Sequence, residues 1–282
     1  RIDAGDPGPV SVRRPYNNYI LASDQTILKQ YSGDIAGFDA SGLLPRINAG
    51  IRDFYLADKV YFVGLNTNDP AAWQAALGHL NAGLGAELQS DAHLVIVQNE
   101  KVSANPDAYA LALKAYWQNT KVFGKDALSK NGIVVVLGIV DGETVSWARA
   151  FTGMPLGNEE LAIALRNNLK GVPLSPEAVI GSVNGQFYPT GGENVRSIHG
   201  NGVIEAALWG LIDPQTKFRR YGMSGKNKNA AGAGFLYLKG EIQPTARQKF
   251  WIFFCAFLIS GISWVACAFI GERTYKSNRR YY

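Results

Sequence analysis

The apolar positions of this chain fall into three patterns. Short continuous runs at residues 93–98 (HLVIVQ) and 132–140 (GIVVVLGIV) have the length and β-branched content of strands buried on both faces, and 59–63 (KVYFV) reads as a third. Asp141–Gly142 is a hairpin signal, so residues 144–151 are expected to return as a strand with Val145, Trp147 and Phe151 on one face. Helical spacing occurs elsewhere. Asp69 is placed to cap a helix with Pro70 at its first position, turning Trp73, Leu77, Leu80 and Leu84 inward until Gly83 and Gly85 weaken it. Residues 106–118 (PDAYALALKAYWQ) bring Tyr109, Leu113, Tyr116 and Trp117 towards one face, and further helices are expected at 159–169, 176–183 and 202–211. Strand, crossover helix, strand, hairpin and then helices predict an α/β fold, a mixed sheet sandwiched by helices.

The third pattern is a single unbroken run. Residues 250–270 (FWIFFCAFLISGISWVACAFI) are 21 positions without charge or proline. As a helix they reach about 31 Å, which matches a bilayer core of about 30 Å. Trp251 and Tyr275 suit the interfaces, and Arg247 and Lys249 can snorkel to headgroups. The chain therefore divides into an extended Gly/Pro-rich arm (1–36), an α/β domain (37–213), a basic juxtamembrane linker (214–249), a C-terminal transmembrane helix (250–270) and a short basic tail (271–282). Within the span Ser263, Cys267 and Gly271 recur every fourth position, a spacing that permits close helix approach in lipid as well as ordinary anchor composition.

Charge sharpens this division. The 282 residues carry a net +5, and the segment from Arg247 onward, with six basic residues and Glu272 as its one acid, accounts for all of it. The remaining 246 residues balance at 22 of each sign, which argues against a nucleic-acid binder, whose basic surface should lie on the folded domain. Arg273, Lys276, Arg279 and Arg280 crowd the tail, so the C-terminus is expected in the cytoplasm and the domain on the periplasmic or luminal side. Such a domain needs export. The chain starts at Arg1 rather than Met, and a leader is expected to have preceded it. A hydrophobic content of 47% excludes a disordered chain, and Cys255 and Cys267 both lie in the apolar run, which leaves the domain without a disulfide. Residues 215–239 hold Lys217, Arg219, Arg220, Lys226, Lys228 and Lys239 without an acid. This stretch is either a solvated linker or a basic collar for anionic headgroups or a partner subunit.

Candidate chemistry is sparse. His79, His93 and His199 have no ligand at zinc spacing, and neither a Gly-x-Ser-x-Gly elbow nor a phosphate loop is present. His79 and His93 read as structural or surface residues. The candidate ligand set lies at strand and helix ends: Glu159, Glu160 and Asp141 as oxygen ligands for Ca or Mg, with Asn131 to orient water or phosphate and Asn158 beside them. Each also has a local role, since Asn158 suits an N-cap, the two glutamates suit a helix start, and Asp141 belongs to the turn.

The stretch SKNGIVVVLGIVDGETVSWARAFTG, together with PDAYALALKAYWQ before it and the C-terminal span, resembles the TPM-domain family of thylakoid luminal, photosystem-associated and receptor-modulator proteins. The resemblance runs over about residues 69–211 and rests on the order of elements. It implies an accessory, assembly or modulatory subunit of a membrane protein complex. It also implies an alternative, since some members are described as metal-binding or as acid phosphatases. The family often has an acid before the Asn-Gly that opens the strand, whereas this chain has Lys130 before Asn131 and Gly132; its glycines after the second strand are Ala150 and Thr152 here, with Gly153 shifted. An ammonium in place of a carboxylate repels a cation, so the accessory role is the primary expectation and a tethered metal-assisted phosphatase the second.

Overall fold

A computed structural model describes residues 26–48, 58–67, 69–88, 90–124, 127–129, 131–153, 158–181, 202–211, 218 and 244–278. Two compact units emerge, divided between Glu241 and Ile242. The first contains a four-stranded sheet in the order β1 (Val60–Val63), β2 (Ala92–Val97), β3 (Ile133–Ile139), β4 (Val145–Thr152). The first three strands run parallel and β4 returns antiparallel to β3, which makes the sheet mixed as the pattern predicts.

Helices cover both faces. Leu94, Ile96, Ile133, Val135 and Leu137 face one way and pack with α3 (Pro70–Leu88), α7 (Glu159–Leu169), α8 (Pro176–Val179) and α9 (Val203–Trp209). Val95, Val97, Val134 and Val136 alternate to the other side, beneath α2 (Ser32–Asp39), α4 (Glu100–Ala104), α5 (Pro106–Trp117) and α6 (Thr120–Phe123). Every residue of β2 and β3 is buried, which explains their continuous apolar runs. The connections β1–α3–β2 and β2–α5–β3 step the same way across the sheet, yet their helices lie on opposite faces. They therefore have opposite hands, and one departs from the usual right-handed rule.

Three local expectations are corrected. Residues 27–39, expected to lie largely in an extended arm, form α1 (Ile27–Gln30) and α2, because Phe38 buries its ring edge-on against Tyr109 at 5.2 Å. α3 does not fade at Gly83 and Gly85 but continues to Leu88, which is itself in the core. Its start is as expected, with Asp69 Oδ1 accepting from Ala72 N at 3.0 Å. Val145 does not share a face with Trp147 and Phe151. A bulge pairs Gly138 with Trp147 and Ile139 with Val145, which leaves Ser146 as the extra residue and rotates Val145 to the opposite core. In the hairpin, Asp141 Oδ1 accepts from the amides of Glu143 and Thr144, and Gly142 has φ 83°, a conformation suited to glycine.

The sheet edges are occupied by side chains and a crossing segment. Gln74 of α3 lies along β1, accepting from Lys59 N and Val60 N and donating to Val60 O. At the other edge Val145 N donates to Val172 O and Gly171 N to Val145 O, while the Arg149 guanidinium donates to Ala148 O.

Gly202 lies against Gly181, where an added Cβ would overlap the Gly181 main chain, so residues 181 and 202 meet at one point. Gly202→Ala is expected to lose about 1–3 kcal/mol from overpacking against main chain. Gly33→Ala in α2, whose added methyl meets nothing within 4 Å, should instead be neutral or gain a few tenths to about 1 kcal/mol. Denaturant midpoints of the two variants, measured side by side in detergent, check the difference.

The second unit holds α10 (Ala246–Asn278), a continuous 33-residue helix. It extends the expected span in both directions, so Arg247 and Lys249 sit in its first turn and the first residues of the expected tail are helical.

Candidate functional site

The predicted ligand residues do not converge. Asp141 caps the hairpin at the end of β3, whereas Asn131 precedes the start of that seven-residue strand, so the two stand at least about 20 Å apart. Glu159 and Glu160 open α7, which follows β4 at the Asn131 end of the sheet. The expected cation set of Asp141, Glu159 and Glu160 is thus split between opposite ends. Asn158 is the N-cap residue of α7 by position but makes no side-chain capping bond. Asn131 is buried in a polar knot, its carbonyl accepting from Ser90 Oγ at 2.5 Å and its amide donating to Ser129 Oγ. Glu160 lines a groove of about 490 Å³ between α7 and α9, together with Ala164, Ala206 and Gly210. Among the described residues no group of three His, Cys, Asp or Glu side chains is placed to hold a metal.

Glu159 has a different role. It acts electrostatically on Lys114 of α5, whose ammonium is pushed down to about 8 by burial against the opposing pull of that carboxylate. The Lys114 Nζ also lies 5.9 Å from the centre of the Phe151 ring. Two turns earlier on α5, Asp107 receives two bonds from Arg149 of β4, at 2.5 and 2.9 Å, and these hold its carboxyl below the usual range. Charged groups thus join α5, β4 and α7 around the β4 side of the sheet.

The most concentrated chemistry in the first unit is a cluster the pattern did not mark. Lys59 precedes β1 and Asp91 precedes β2, and the parallel register brings them together. Lys59 Nζ donates to Asp91 Oδ2 at 2.8 Å, with both side chains 3% exposed. His93 Nε2 reaches the same oxygen at 3.0 Å, and His93 Nδ1 faces Tyr61 Oη at 3.4 Å. Burial alone would raise the Asp91 carboxyl. The Lys59 and His93 charges and hydrogen bonds outweigh it and hold Asp91 far below the ordinary carboxylate range. The Trp117 ring closes the cluster, 5.7 Å from His93 and 5.1 Å from Tyr61. The arrangement fixes charge and hydrogen-bond direction in the interior.

A sequence signal for the cluster did exist. Lys59 and Asp91 each open an apolar run, and pairing those runs in parallel places opposite charges side by side. Their separation of 32 positions in the chain hides the pair from any local pattern.

The residues assigned to membrane or partner contact divide. Arg219, Arg220, Lys226 and Lys228 lie outside the described residues. Ser263, Cys267 and Gly271 sit on α10, all exposed. That helix has an apolar stretch, Ala246–Gly271, with mean hydropathy 2.2, long enough to cross a membrane and unburied within the protein. Phe257 is 77% and Trp264 75% exposed. No family model, curated protein or solved structure matches this chain.

Proposed function

We propose that this is a single-pass membrane protein whose TPM-like α/β domain acts as an accessory, assembly or modulatory subunit of a larger membrane complex. The observation that carries the reading is α10. A helix with a long stretch apolar on every side, its aromatic residues exposed, is stable in lipid and not in water. It shares one chain with a separately packed α/β unit, and the order of elements in that unit supports the resemblance to the family. The phosphatase alternative is weakened because its proposed ligands stand at opposite ends of the sheet and Glu159 already acts electrostatically on Lys114.

The domain is assigned to the extracytoplasmic side and the C-terminus to the cytoplasm, from the basic residues after the span. Protease added to intact cells should then degrade the domain, and protection until permeabilisation would reverse the orientation. For the function itself, purification in mild detergent followed by mass spectrometry should recover partner proteins in stoichiometric amounts. A solitary monomer with metal-dependent phosphomonoesterase activity would overturn the proposal.

A further inference from the structure

We draw no further inference here: the strongest candidate, the open groove between α7 and α9 lined by Leu161, Ala164, Val203, Ala206 and Gly210, is a largely apolar surface, and nothing in the structure shows what covers it.

Discussion

Asp91→Ala is expected to cost the α/β unit about 3–5 kcal/mol of stability, measured as the loss in denaturant unfolding free energy, because it leaves the Lys59 ammonium buried without its carboxylate. The double variant Lys59→Met/Asp91→Leu should lose far less, since two apolar side chains of similar volume need no compensation in the core. An equal loss in both variants would show that packing, and not charge, dominates the position. The pH dependence has a definite sign. The folded-state pKa of Asp91 is depressed, so its contribution is complete above the unfolded carboxylate range, near pH 4, and is lost as pH falls towards the folded value. Acid unfolding of the wild type should steepen below about pH 4, and Asp91→Asn should lack that component.

The second large effect belongs to α10. Leu258 and Ile262 lie near the middle of its apolar stretch, and exchanging either for lysine shifts bilayer insertion by about 3–4 kcal/mol. The double substitution should move the chain from the membrane pellet to the soluble or aggregated fraction on carbonate extraction. Exchanging Arg247 and Lys249 for glutamine, at the helix start, should leave it in the pellet. Retention of the double lysine variant would mean that α10 is held by protein and not by lipid.

Features whose cause is local were legible in the sequence. β2 and β3 are continuous apolar runs because helices bury both their faces, and α7 matches its expected bounds because Leu161, Leu165 and Leu169 repeat along one side. Features that the sequence does not reveal depend on distant partners. Residues 27–39 have too little periodicity to announce helices and are ordered by Phe38 against Tyr109 and by Lys101, which bonds Gly37 O and Ser41 Oγ. The face of Val145 depends on a bulge that its own alternation does not reveal. Residue type alone groups the candidate ligands, and only the run of the strands shows that Asp141 and Glu159 stand at opposite ends. The charged cluster needed the parallel register of β1 and β2 before Lys59 and Asp91 could be seen as neighbours.

The occupied sheet edges have a consequence for association. Gln74 already satisfies the outer amide and carbonyl of Val60, and the 171–173 segment with Arg149 engages main-chain groups along the first half of β4. A foreign strand seeking to lengthen this sheet meets a competitor at each of those places. At those positions the domain is guarded against indiscriminate backbone pairing, which leaves a companion to recognise it there through the identities of side chains and favours selective companionship.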